Sequence, residues 1–124
     1  MYNIDDVLKR FLLVLNPILV KIEKYMNSPN IELLEEISND FINLGNIFYN
    51  ELASHSHRIL SVIALDAGLK IREKYRDRMN DDLNMGDINY MKDIYDIFKK
   101  IAEKIESGEY LRYLNMMAEK KTNS

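Results

Sequence analysis

Residues 31–79 read IELLEEISNDFINLGNIFYNELASHSHRILSVIALDAGLKIREKYRDRM, and this stretch decides the fold. Apolar side chains recur at steps of three and four along its first half, at Leu34, Ile37, Phe41, Leu44 and Phe48. This spacing keeps them on one face of a helix. We therefore expect residues 31–53 to form an amphipathic helix that packs against a neighbour, with Gly45 weakening its middle.

The charge reverses along this stretch. Residues 31–53 carry acidic side chains and no Lys or Arg, whereas basic side chains dominate the second half, at Arg58, Lys70, Arg72, Lys74, Arg76 and Arg78. A basic helix end of this kind can meet phosphates or an acidic protein surface. Because Glu73 and Asp77 lie among these residues, a solvated face of intrahelical ion pairs is the alternative.

The second half predicts a helix at residues 57–79. Its first turns are apolar nearly all around the axis, which is typical of a helix buried on most sides. We therefore expect a central helix whose basic end, residues 70–78, projects beyond the core. The polar residues 54–57 favour a break between two helices, and a single continuous helix is the alternative.

The rest of the chain also has helical periodicity. We expect helices at about residues 4–26, 87–107 and 109–119, with Asp87 capping the fourth and Gly108 following its end. No alternation of period two appears. The sequence thus predicts an all-α domain spanning residues 1–124, a single bundle of four main helices plus a short C-terminal helix.

The last helix contains a cluster of aromatic and sulfur-containing side chains. Its members are Tyr110, Tyr113, Met116 and Met117. Such side chains at helical spacing usually cover a core. On a short terminal helix, however, they can also form an exposed patch for a protein partner.

Composition limits the chemistry and the location. The 124 residues include no Cys and carry a formal charge of −3, which gives no overall attraction to nucleic acid. Glu51, His55 and His57 have spacing that could suit a metal, but two His without further ligands are weak evidence. We predict no catalytic, cofactor or metal site, and a cytoplasmic protein without a membrane span. A metal-dependent hydrolase using these three residues is a remaining alternative.

The middle of the chain resembles the helical A domain of the GINS proteins. The similar segments are 34–41 (LEEISNDF), 58–60 (RIL) and 69–72 (LKIR), followed by a polar loop and a helix, over roughly residues 31–105. The strand-rich B domain of that family has no counterpart here, and Gly68-Leu69 stands where a second Arg is expected. The resemblance implies a non-enzymatic scaffold that assembles with related subunits and links a replicative helicase to other replication proteins.

Taken together, these patterns predict a non-catalytic interaction or assembly subunit, GINS-like in its sharper version. The alternative is a small helical subunit associated with nucleic acid, as in CRISPR-type complexes or their viral inhibitors. The chain has more apolar helix faces than one core of this size needs. We therefore expect a homo- or hetero-oligomer with protein partners and at most weak contact with nucleic acid.

Overall fold

The regular structure of this chain is helical throughout the described part, which comprises residues 4–51, 58–76 and 85–122 of a computed structural model. Its five helices are α1 (Ile4–Asn27), α2 (Ile31–Tyr49), α3 (Arg58–Arg76), α4 (Met85–Glu106) and α5 (Glu109–Thr122). This confirms the all-α prediction. It also shows that α2 and α3 are two helices and not one.

Helix boundaries follow local capping where the sequence provides it. The Asn30 side chain accepts a hydrogen bond from the backbone N–H of Leu33 at 2.8 Å, which starts α2. Several boundaries differ from prediction by two residues or more, one of them the end of α5, which extends to Thr122 and not 119. Helix α2 ends at Tyr49, four residues before the expected position, and α4 begins at Met85, so Asp87 lies buried in its first turn and is not its cap.

Cross-helix contacts define an antiparallel arrangement of α1 and α2. In the second half of α1, Lys21 Nζ lies 2.6 Å from Asp40 Oδ2 in the middle of α2, and in its first half, Arg10 Nη1 lies 3.0 Å from Oε2 of Glu51, two residues after α2 ends. The Asp40 hydrogen bond raises the pKa of Lys21, helped by the charges of Asp40 and Glu36 and opposed by partial burial. These contacts fix the register between the two helices.

The remaining helices extend this pair. Helix α3 packs on α2, α4 packs on α1, and α5 packs on α4. Two aromatic pairs connect helices inside the bundle. The rings of Phe11 on α1 and Phe48 on α2 are 5.5 Å apart, edge to face, and those of Phe41 on α2 and Phe98 on α4 are 4.7 Å apart. All four side chains are buried, so they form the centre of the hydrophobic core.

Helices α2 and α3 approach each other along a line of small residues, which we call the α2–α3 seam: Ser38 and Gly45 on α2, and Ser61 and Gly68 on α3. All four are buried. Ser38 lies across from Gly68, and its hydroxyl donates a 2.7 Å hydrogen bond to the Gly68 carbonyl. A Cβ placed on Gly45 would lie only 2.8 Å from the Ser61 carbonyl oxygen. The glycines therefore allow the two backbones to come into contact.

The two seam serines should differ in their contribution to stability. The Ser61 hydroxyl is buried and has no hydrogen-bond partner among the described residues, whereas the Ser38 hydroxyl is bonded. We expect Ser61→Ala to leave the free energy of unfolding unchanged or raised. Ser38→Ala should be about 1 kcal/mol less stable than Ser61→Ala, because it loses a net hydrogen bond. Urea unfolding of both variants measures the difference, and equal stabilities would contradict the assignment.

The predicted position of α3 is wrong in two respects. Its first half is not central, because Ile59, Val62 and Leu69 are exposed and the small inner residues pack mainly on α2. Its second half does not project beyond the core, since Ile71 is fully buried and Tyr75 packs against the core. Periodicity reports how many faces of a helix are apolar but not which of them meet a neighbour.

Candidate protein-interaction surface

A tight turn sets α5 against the end of α4. Gly108 has a φ of 81°, in the left-handed region that glycine adopts readily, and its N–H donates to the Ile105 carbonyl at 3.1 Å. The Ser107 hydroxyl then accepts a hydrogen bond from the N–H of Glu109 at 3.3 Å, in the manner of an N-cap. The buried side chain of Leu114 holds α5 in place.

This turn creates a shallow concavity of about 280 Å³, which we call the α4–α5 groove. Its lining residues are Ile101, Lys104, Glu109, Tyr110 and Tyr113. Tyr110 forms the floor: it is half-buried, and burial raises its pKa to about 12, with a smaller contribution from Tyr113. The phenol is neutral at physiological pH, as an ordinary tyrosine also is, and presents an apolar ring with one polar tip.

The apolar surface continues beyond the groove along both helices. Tyr113 is 56% exposed and Met116, one turn further along α5, is 57% exposed. On α4, Ile97 is also exposed and lies one turn from Ile101 on the same face. Of the predicted interface residues, Tyr113 and Met116 are thus on the surface and Tyr110 is partly covered. The Met117 side chain lies outside the described part of the structure.

The predicted basic surface of α3 is divided among separate contacts. Arg72 Nη2 donates to Asn39 Oδ1 on α2 at 3.2 Å, and Lys70 pairs with Asp66 of its own helix at 3.0 Å. Lys74 Nζ lies 4.4 Å from the Tyr90 ring centroid of α4. Three of the predicted residues thus have intramolecular partners on three different elements.

The other two described basic residues lie at opposite ends of α3. The Arg58 guanidinium stacks on the Tyr49 ring at 4.5 Å, and Arg76 is exposed at the last turn of α3. Arg58 lies about 21 Å from Arg72 on an ideal helix. Arg78 lies outside the described residues. Four of the six predicted residues thus lie in the last two turns of α3, namely Lys70, Arg72, Lys74 and Arg76, and the binding of a partner at this end stays a prediction.

The residues considered for metal binding are only partly described. Glu51 faces Arg10, with an oxygen 3.0 Å from its Nη1, while His55 and His57 lie outside the described residues. Within residues 4–51, 58–76 and 85–122, no group of three His, Asp or Glu side chains is arranged to hold a metal ion.

A second exposed apolar surface, on α1, was missed by the sequence analysis. Leu13, Val14 and Val20 are exposed on the side of the helix away from the core. Two shallow concavities, of about 570 and 300 Å³, meet at Pro17. The sequence pattern that could have indicated this surface is the spacing of seven residues between Leu13 and Val20, which places both on one face of the helix, with Pro17 between them. We refer to this surface as the α1 outer face.

Comparisons with protein-family models, curated proteins and solved structures found no significant match for this chain. Among the described helices, none combines the length and hydrophobicity needed to cross a membrane. The properties of the surfaces described above are therefore the basis for any functional assignment.

Proposed function

We propose that this protein is a non-catalytic interaction module that binds a protein partner through the α4–α5 groove. The observation that carries the proposal is the exposure of Tyr113 and Met116 beside a concavity whose floor is the half-buried Tyr110. Tyrosine and methionine are enriched at protein interfaces. A partner side chain can insert above Tyr110 while the two exposed side chains close over it.

The charges at the groove favour a largely apolar contact. Lys104 and Glu109 line the concavity with one charge of each sign, so they orient a partner without selecting for an acidic or a basic one. The turn at Gly108 and the burial of Leu114 fix the groove in the free protein. A preformed site loses less conformational entropy on binding than one that must be ordered.

The GINS-like version of this proposal makes the partners related subunits of a replication complex. Its support is the sequence resemblance over roughly residues 31–105. The α4–α5 groove includes residues at 101–113, near the end of that region and beyond it. The general proposal of protein binding is therefore independent of the resemblance and is tested separately.

Site-specific photo-crosslinking in an extract of the source cells tests the proposal. A benzophenone side chain at position 113 is expected to capture a defined protein partner. The matched control carries the same group at Lys99, which is exposed on α4 but outside the groove. Tyr113→Ala combined with Met116→Ala should weaken binding of the captured partner at least ~10-fold, since exposed aromatic anchors commonly dominate interface energies.

The same variant is expected to melt at the temperature of the unmodified protein, because both side chains are more than half exposed. Identical adducts from positions 113 and 99, or unchanged affinity in the double variant, would show that the groove is not the binding site. Loss of binding together with a large fall in melting temperature would indicate a structural role for these residues and would also contradict the proposal.

A further inference from the structure

Helix α3 has an apolar surface on the side opposite α2, which we call the α3 outer face: Ile59, Val62, Asp66, Leu69 and Glu73. Its three apolar side chains are exposed, Ile59 by 54%, Val62 by 47% and Leu69 by 43%. On an ideal helix these three lie within a sector of about 80°. The opposite side of α3 forms the α2–α3 seam, so the helix has two packing faces, of which residues 4–51, 58–76 and 85–122 cover one.

We infer that the α3 outer face binds the same face of a second copy of this chain, in an antiparallel twofold arrangement. A helix that is apolar nearly all around is typical of a buried position. Among the described helices α3 lies at the edge, and none of them covers its outer face. Pairing of two copies would place α3 between its own α2 and the α3 of the second copy, which accounts for apolar side chains on both faces.

Charge complementarity selects the orientation and the register. When Val62 is set against Leu69 of the second copy in the antiparallel direction, Arg58 falls opposite Glu73 of that copy, and the twofold axis repeats both pairs. Arg58 contacts the Tyr49 ring and the charge of Glu73 acts on Lys70, but neither forms a salt bridge with another described residue. Both charges would therefore gain a salt bridge on association.

Asp66 is the acidic side chain nearest the twofold axis, where two copies would bring like charges together. In each chain, however, Asp66 Oδ2 already lies 3.0 Å from Lys70 Nζ. The two copies would therefore bring together two Asp66 and two Lys70 side chains near the axis, with a net charge of zero. Their close approach adds no net repulsion at the centre of the interface.

The α1 outer face, also exposed, does not have this self-complementarity. Antiparallel pairing that sets Leu13 against Val20 of a second copy would place Lys9 opposite Lys24. Lys9 already pairs with Asp5 at 3.0 Å, so this contact would gain no ion pair between Lys9 and Lys24, whereas the α3 register pairs Arg58 with Glu73. This contrast favours α3 as the self-associating surface and provides α1 positions as matched controls.

The oligomeric state is measured by sedimentation equilibrium from micromolar to near-millimolar concentration. We expect a reversible dimer, since the apolar area offered by three side chains is small. Val62→Lys should leave only monomer across this range. The control, Val20→Lys, makes the same change at an equally exposed apolar position on α1 and should leave dimerisation unaltered.

Charge exchange tests the register. Arg58→Glu and Glu73→Arg, each alone, should weaken the dimer by roughly 10-fold, and the two together should restore it to within about 2-fold of the unmodified protein. Because Arg58 also stacks on Tyr49, loss of association in the single variant alone is not decisive. Restoration by the double variant is the specific result, and its failure overturns the register.

The chain contains no Cys, so single introduced cysteines report proximity without background. Mixing Val62→Cys with Leu69→Cys should give a disulfide between the two variants and little between identical chains. A monomer at all concentrations, or preferential linkage of Val62→Cys to itself, would refute antiparallel pairing. The Tyr113 and Met116 double variant should dimerise normally, which separates this inference from partner binding at the α4–α5 groove.

Discussion

Replacing Gly68 with alanine is expected to lower the free energy of unfolding by about 2–3 kcal/mol, although helix propensity alone predicts a gain of about 1 kcal/mol. A Cβ at this position would lie 2.6 Å from Ile42 Cγ1 and 2.8 Å from the Ser38 carbonyl oxygen. The backbone oxygen cannot rotate away as a side chain could. The substitution must therefore separate α2 from α3 and loosen the whole α2–α3 seam.

Thermal unfolding followed by circular dichroism measures this effect, and the midpoint should fall by roughly 10 °C. Asn46→Ala is the matched control, because it places alanine at an exposed position of α2, where propensity alone acts. We expect that control to be neutral or slightly stabilising. An increase in the midpoint of Gly68→Ala would mean that the helices are not in contact at this residue.

Phe41→Ala should have the largest effect on stability of any change considered, a loss of about 3–5 kcal/mol. The Phe41 ring is fully buried and lies 4.7 Å from the ring of Phe98, so it connects α2 to α4. Its removal leaves a cavity at the centre of the core. Since domains of this size are typically stable by about 5–15 kcal/mol, the variant should be close to unfolding at room temperature.

Denaturant titration of Phe41→Ala provides the measurement, and Phe41→Leu provides the control. Leucine fills part of the cavity and should retain more than half of the lost stability. If alanine and leucine were equally destabilising, the ring stacking and not the filled volume would be the main contribution. A loss below about 1 kcal/mol for alanine would place Phe41 outside the core.

The sequence allowed the helices and their core faces to be predicted because both depend on local periodicity. Leu34, Ile37 and Phe41 are buried as their spacing indicated. The seam could not be predicted in this way. From the sequence alone Gly45 is expected to weaken α2, whereas in the structure its missing side chain allows the Ser61 backbone to approach. A small residue identifies a close contact between two helices only once the helix that faces it is known.

The candidate site was predictable in part. The sequence leaves open whether the cluster that includes Tyr113 and Met116 covers the core or forms an exposed patch, and in the structure both of these side chains are exposed. The partial burial of Tyr110 in the α4–α5 groove could not be predicted. It depends on the angle between α4 and α5, which the turn at Gly108 sets. Similarly, the partners of Arg72 and Lys74 lie on other helices, and their positions follow from packing and not from sequence neighbours.

The order of the helices in the bundle has a consequence for folding kinetics. The principal contacts join helices that follow each other in the chain, α1 with α2, α2 with α3 and α4 with α5, and α1 with α4 is the exception. Neighbouring helices can pair early, since their contacts require the closure of only short loops. Docking of α4 on α1 is therefore the step that must overcome the largest loss of chain entropy.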